Sequence, residues 1–460
     1  MATYPMNPVD AAWYHMDGPA NLAVVTGVLQ TRQALDFDKV KAVYQERLTD
    51  FVRFRQRVIE TGFPVATPHW EDMPHFDIDQ HMHHISLPAP HNQDALRALV
   101  SDLASTPLDR AQPLWQVFVV DGVGRGSALV MRCHHCVADG TAMMTITQKL
   151  FDTTPRSTHT ASQHGKAAAA VPLSSMERAS RDVLELADTV YDAATHPLQT
   201  LEKATALASG AGMLVGELLK KDDPQSPLKG DFSMRKLVSW TEPVAVKDVK
   251  TIGAPYGAKV NDVLVAAMTG ALRHYLLLHG VKVNHTTLRA MVPVDLRPAS
   301  HLGQLGNEFG LVILELAVNQ ARAAQRLATT KARMDALKRS PEAMATLALF
   351  DILGRVPKGL EDFANDLFGS KASLVITNVV GPQDVLYLAG VPIDSMLGWA
   401  PHPGKQLGMA ISVMSYQGMA TLTVIADARL IPDPEVITDQ FNMEFQSLLK
   451  DSVKKSSQSR

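Results

Sequence analysis

The sequence predicts a mixed α/β protein built as two domains. Three observations carry this. The chain has 460 residues, more than one ordinary hydrophobic core organises. Strand-like apolar runs alternate with segments of helical periodicity both early and late in the chain. Between those halves the composition turns polar and alanine-rich. The expected organisation is therefore an N-terminal domain over 1–155, a linker with helices over 156–230, and a C-terminal domain over 231–460.

The elements follow in order. "NLAVVTGVLQ" reads as a strand. "DFDKVKAVYQERLTDF" reads as one helix, with Phe37, Val40, Val43, Tyr44 and Leu48 on one stripe. "NQDALRALVSDLASTPLD" is a second helix, capped by Asn92 and ended before Pro107. Two apolar runs, Trp115 to Val120 and Ser127 to Cys133, flank a glycine-rich turn and form a β-hairpin. That turn, "GVGRGS", lacks the helix and the Gly-Lys-Ser/Thr ending of a phosphate loop. In the linker, Ser174 stands three residues before Glu177, a capping-box spacing, and Pro197 stops the helix it begins. A second helical stretch, about 198–220, carries three glycines. Beyond it, "RKLVSWTEPV" is a strand and "AKVNDVLVAAMTGALRHYLLLHG" a long helix ended by Gly280. "LRAMVPVDLRP" and "NEFGLVILELAV" are strands, "QARAAQRLATTKARMDAL" a helix, and "ASLVITNVVGP" a strand. "LGMAISVMSYQGMATLTVIAD" is a hairpin, and "PEVITDQFNMEFQSLLKDS" a closing helix.

Composition excludes several functions. The formal net charge of −3 gives no electrostatic reason to expect nucleic acid. Two cysteines, Cys133 and Cys136, cannot make a secreted disulfide framework. The first residues lack a basic stretch followed by an apolar run, and no window reaches about 18 uninterrupted apolar residues. A cytoplasmic protein that touches membranes without crossing them is expected.

The chemistry concentrates in "MRCHHCVADGTAMM". Adjacent side chains on a strand point to opposite faces, so His134 and His135 do not readily chelate one ion. A closed zinc site would want a second cysteine pair, which the chain lacks. The histidines, carboxylates and alternation of "DIDQHMHHI" suit a strand rather than a metal site. A Cys-x-x-Cys pair at a strand end is not placed for redox work, and no Gly-x-Ser-x-Gly elbow is present. Two readings remain for the histidines: a general base, with Gly140 letting the following helix start close by, or plain loop filling.

"HHCVADG" fits the His-His-x-x-x-Asp-Gly signature of chloramphenicol-acetyltransferase-like, coenzyme-A-dependent acyltransferases. "NPVDAAW", "ATPHWEDMPHFDIDQHMHHISLP", "PLDRAQPLWQVFVVDG", "AKVNDVLVAA", "VPVDLRP", "LGNEFG" and "TNVVGP" narrow this. Together, in this order, they resemble the wax ester synthase/diacylglycerol acyltransferase family over nearly the whole chain. The resemblance implies two chloramphenicol-acetyltransferase-like domains with an active-site channel between them. It implies that acyl-coenzyme A donates a fatty acyl group to a long-chain alcohol or diacylglycerol, with no metal and no bound cofactor. His135 would be the general base. Asp139 would be structural and pair with an arginine, Arg297 or Arg289. Asn261 and Asn378 match family asparagines. Asn261 would serve the oxyanion or the loop, or with Asp262 cap a helix. Pro113, Leu114 and Trp115 would line or support the acyl channel. Contact with a membrane or lipid-droplet surface follows from lipid substrates, with the linker helices as candidates for making it.

Three rivals stay open on the residues. One is an acyltransferase for an amine or another alcohol. The second uses His134 as base with Asp139 orienting it, since His134 to Asp139 also fits His-x-x-x-x-Asp. The third is a lipid-binding module without catalysis.

Overall fold

The computed structural model describes residues 3–60, 67–156, 222–298, 301, 305–340, 343, 346, 347, 350, 351, 369–402 and 406–458. The helices expected within 174–220 lie outside these residues.

The chain begins with strand β1 (Thr3–Pro5) and helix α1 (Pro8–Met16). Asn7 caps α1 by accepting from Val9 N (2.9 Å), and Pro8 sits at the first turn, where no amide is needed. Strand β2 (Val24–Thr31) and helix α2 (Phe37–Val43) follow. The single helix expected over 36–51 is interrupted: Tyr44–Leu48 forms a wider π-helical turn. There Arg47 turns inward to the Leu150 carbonyl (2.8 Å) and to Asp152 (3.2 Å), so a tertiary ion pair overrides the local pattern.

Strands β3 (Gln56–Ile59) and β4 (His69–Asp72) join β1 in a small sheet of order β1-β4-β3. Then come β5 (Met82–Ser86), α3 (Gln93–Ala104, capped by Asn92), β6 (Trp115–Val123), β7 (Gly126–His134) and α4 (Gly140–Leu150). The hairpin β6–β7 is thus as the sequence predicts.

The second half holds β8 (Lys236–Trp240), β9 (Val244–Ala245), α5 (Val246–Gly253) and α6 (Val260–Leu278). It continues with β10 (Leu288–Asp295), β11 (Phe309–Leu316), α7 (Ala323–Leu337) and β12 (Leu374–Val380). The short pair β13 (Tyr387–Leu388) and β14 (Val391–Pro392) precedes β15 (Ser395–Trp399), β16 (Met409–Tyr416), β17 (Met419–Asp427) and α8 (Pro434–Gln458).

Two larger sheets organise these elements. The first has the order β15-β2-β7-β6-β5; the second has the order β11-β10-β12-β16-β17-β8, with β9 also on β17. β15 belongs by sequence to the second half, yet it pairs antiparallel with β2, from Ser395↔Gln30 to Trp399↔Thr26. The second sheet divides its residues by the period of two. On β12, Leu374 and Ile376 pack with the helical core that includes Tyr275 of α6 and Phe441 and Phe445 of α8. Val375 between them faces the core of the first half. Helix α3 closes the outer side of the contact: Ser101 and Ser105 hydroxyls accept from Val238 N (3.0 Å) and Lys236 N (2.8 Å) of edge strand β8. Among the described residues no helix is long and apolar enough to cross a membrane.

Candidate active site

Strand β7 delivers the two histidines and then ends. His134 N still bonds Leu114 O (2.9 Å), and His135 N bonds Ala23 O (2.7 Å), just before β2. A tight turn follows, with Val137 N on His134 O (3.0 Å). Asp139 then caps α4 by accepting from Ala142 N (2.9 Å). Gly140 is the first helical residue, and a Cβ there would come within 3.3 Å of Val379 on β12. The motif is therefore pressed between the two large sheets.

A cavity of about 430 Å³ opens at this seam. Its wall is contributed by α1 (Trp13), the motif (His135, Asp139, Gly140), β10–β12, β15 and β16, and most of it is apolar. That size falls within the usual range for small-molecule sites.

The two histidines have different surroundings. His134 is buried, and its Nδ1 accepts from Cys136 N (3.1 Å). Its Nε2 lies 3.8 Å from Asp17, and the ring is not part of the cavity wall. His135 is on the wall. Its Nδ1 faces Asn307 Oδ1 at 2.9 Å, and Trp13 stacks on the ring with centroids 4.0 Å apart and planes 15° apart. Phe309 stands at 5.8 Å on a tilt.

The hydrogen-bond pattern determines the tautomer. Asn307 Nδ2 donates to the His135 carbonyl (2.8 Å) and to Asp10 Oδ1 (2.8 Å). Both partners are pure acceptors, so the amide has one consistent orientation, and Oδ1 must face the ring. Nδ1 of His135 then carries the proton and donates it to Asn307. Nε2 then keeps its lone pair. Burial pushes both rings down to about 4; for His135, the Asp139 charge and the Asn307 bond act in the opposite direction. The ring is accordingly neutral at ordinary pH.

Asp139 does not orient either histidine. Its Oδ2 receives Arg297 Nη2 (2.7 Å) and Glu308 N (3.1 Å), while Oδ1 caps α4. Of the two arginines considered, it is Arg297 that meets Asp139; Arg289 lies by Asp223, its backbone amide donating to that carboxylate (3.2 Å). Asp139 thus stitches the motif to the 297–308 segment of the other half, and the reading in which it orients His134 loses its geometric basis.

The other expected residues are distributed as follows. Pro113, Leu114 and Trp115 are buried in the first core and are absent from the cavity wall. Trp115 Nε1 bonds Phe54 O (2.9 Å), and its ring stacks on His81 at 4.5 Å. Of the two places the sequence reading left open, lining or supporting, theirs is a supporting one: Leu114 O accepts from His134 N (2.9 Å), and Trp115 pairs with Cys133 across β6 and β7. Asn378 is on the wall, and its amide donates to Asn261 Oδ1 (2.6 Å). Asn261 is exposed and outside the wall, and the carboxylate that caps α6 is that of Asp262, accepting from Lys259 N (2.8 Å). The histidines of "DIDQHMHHI" have separate partners: His81 the Trp115 carbonyl, His83 the Phe118 ring, His84 the Asp121 carboxylate. Cys133 and Cys136 are buried free thiols that burial pushes well above their usual range.

Sequence reasoning missed Asp10, Trp13 and Asn307. Their stretches, "NPVDAAW" and "LGNEFG", contribute to the family resemblance, but "N-P-V-D" reads locally as a cap with an acidic third residue.

Comparison with known proteins adds the following. The family model described as "Wax ester synthase/diacylglycerol acyltransferase catalytic domain" matches residues 6–264. The one described as "WS/DGAT C-terminal domain" matches 305–449. The Mycobacterium tuberculosis protein named "Probable diacyglycerol O-acyltransferase tgs1" is 28% identical over 425 residues, 90% of this chain and 87% of its own length. The solved wax ester synthase/diacylglycerol acyltransferase of Marinobacter aquaeolei VT8 superposes with a TM-score of 0.70 at 20% identity, covering 98% and 99% of the two chains. A starter condensation domain of rhizomide synthetase, solved with C8-CoA, superposes at 0.61 with 12% identity, covering 98% and 94%. The solved structures share the two-domain fold.

Proposed function

We infer that this chain, which belongs to the wax ester synthase/diacylglycerol acyltransferase family of acyl-CoA-dependent acyltransferases, performs its acyl transfer at the imidazole of His135. The observation that carries this reading is the His135 tautomer: Nδ1 is committed to Asn307, which leaves Nε2 unprotonated on a ring that stands on a largely apolar cavity wall.

The steps follow from that arrangement. A fatty acyl thioester of coenzyme A and the hydroxyl of a long-chain alcohol or diacylglycerol meet in the cavity. Nε2 takes the hydroxyl proton as the oxygen attacks the thioester carbonyl. The tetrahedral intermediate collapses, the carbon–sulfur bond breaks, and the departing thiolate takes the proton back from His135. Wax ester or triacylglycerol and coenzyme A result. No acyl-enzyme is needed, and both thiols are buried away from the wall. An apolar, water-poor site keeps water from competing as acceptor. Asn378 would meet the substrate, with Asn261 acting through it. Lipid acceptors would reach the site from a membrane or droplet surface.

The test is coenzyme A release over a panel of alcohols, amines and a diacylglycerol. Loss of a positioned base typically costs about 10²–10⁴ in rate, and His135→Ala is expected to show it. His134→Asn, which keeps an acceptor for Cys136 N, is expected to stay within about tenfold, since the removed ring is off the wall. An active His135→Ala beside an inactive, folded His134→Asn would reverse the assignment. No release with any acceptor would leave a binding protein.

A further inference from the structure

We propose that Asp10 is a positioning residue for acyl transfer: acting through Asn307, its carboxylate selects the His135 tautomer whose Nε2 accepts the proton. This rests on the reading of His135 as the base.

Three observations converge. First, Asp10 Oδ1 accepts twice from Asn307, from the backbone N (3.0 Å) and from Nδ2 (2.8 Å). The backbone bond fixes where Asn307 stands; the side-chain bond fixes which way its amide faces. A reversed amide would turn Nδ2 toward His135 and favour the tautomer with hydrogen on Nε2, which cannot act as base. It would also set the amide oxygen against the Asp10 carboxylate and the His135 carbonyl. Second, the approach is tight: Gly306 has φ +105°, and a Cβ there would lie 3.4 Å from Asp10 Oδ2. Glycine permits this backbone, so the 306–307 segment can settle onto α1. Third, Asp10 and Trp13 are three residues apart on one helix face, so α1 holds the ring by both its stacked plane and its Nδ1 edge.

The carboxylate is buried, and burial pushes it up to about 6. Arg53 and the two Asn307 donors favour its charge, and Asp139 opposes it; Cys136 lies close enough to feel it. At neutral pH Asp10 is thus largely ionised despite its surroundings, a costly arrangement that packing alone does not require.

Histidine-selective ¹⁵N NMR of the full chain reads the tautomer directly, with the His135 resonance assigned by its loss in His135→Ala. Kinetics with acyl-coenzyme A and a preferred alcohol supply kcat and KM. Asp10→Ala is expected to populate the Nε2–H form and to lower kcat by about 10²-fold, as small misplacements of reacting groups do, with KM for acyl-coenzyme A little changed. Asn307→Leu, close in volume, breaks the same link from the other side and should behave alike. Asp10→Asn keeps an acceptor and should restore the wild-type tautomer and most of kcat. A wild-type tautomer in folded Asp10→Ala or Asn307→Leu would overturn the proposal, as would Asp10→Asn as slow as Asp10→Ala. A changed tautomer with unchanged kcat would overturn it differently, by removing His135 as base while leaving the Asp10–Asn307 coupling intact.

Discussion

Replacing Arg297 by methionine isolates the structural role of the motif aspartate. The pair it breaks is buried, with side chains 1% and 7% exposed. Arg297→Met removes two bonds from Nη2, to Asp139 Oδ2 (2.7 Å) and Gly306 O (2.9 Å). Asp139 is left with two backbone donors, Ala142 N and Glu308 N. Removing one partner of a buried pair costs about 3–5 kcal/mol, because the remaining charge stays desolvated. Asp139→Asn retains an oxygen to cap α4 but takes the counter-charge from the guanidinium, which keeps Gly306 O, at a cost of about 3 kcal/mol on the same grounds. The double variant buries neither charge, so its cost should fall short of the sum by about 2 kcal/mol or more. For domains of this size 1 kcal/mol moves Tm by roughly 2–4 °C. Arg297→Met should therefore melt roughly 6–20 °C lower, and Arg297→Met/Asp139→Asn little lower than that. Thermal unfolding of the four proteins, with kcat measured alongside, checks the cycle. Strict additivity, or an unchanged Tm in Arg297→Met, would refute the stitched-loop account.

Three further outcomes are expected. His134 and His135 sit near 4 in the fold and near 6.5 when unfolded, so the unfolded chain takes up the extra protons between those values. Their share of stability, about 3 kcal/mol each, is complete above pH 6.5 and is lost as pH falls to about 4. Tm measured across that window should drop steeply, and His135→Phe should shallow the drop; an identical slope in the variant would count against it. Asp10 runs the other way: raised to about 6, it lowers stability as pH rises from about 4 to 6, so Asp10→Asn should gain up to about 3 kcal/mol at pH 7.5 and almost none at pH 4. Equal urea midpoints at pH 7.5 would be the contrary finding. Finally, Val375→Phe narrows the wall between the sheets and should depress kcat/KM for long acyl chains at least tenfold more than for short ones, an effect within reach of a few methylenes at 1–3 kcal/mol each. A uniform loss across chain lengths would mean that acyl chains lie elsewhere.

The His134–Gly140 motif is legible in the sequence because its parts are local. His134 to Gly140 fall within seven residues, on a strand, a turn and a helix cap that each have their own signature. Arg297 and Arg289 are equivalent candidates in sequence, and only the packing of the two halves sets Arg297 on Asp139. Asp10 and Asn307 could not be found this way: they are 297 positions apart, and Asp10 reads locally as an acidic residue in the first turn of a capped helix. For Pro113, Leu114 and Trp115 the sequence left lining and supporting both open, and only tertiary packing puts them in the buried interior away from the cavity wall. The long elements α3, α6 and α8 and the two hairpins follow from periodicity. The short strands β1, β3 and β4 do not, because a three- or four-residue strand takes its shape from its neighbour.

β15 ties the halves together as a backbone clasp. The polypeptide leaves one sheet after β12, completes the other as its outermost strand, and returns to β16. The halves therefore cannot drift apart sideways without tearing the ladder from Gln30 to Thr26. Any widening that admits a bulky lipid must instead pivot near this clasp, keeping Ser395–Trp399 in register while the far side of the seam moves. The same threading means that the first half taken by itself, without Ser395–Trp399, would leave β2 with a raw, unpaired edge.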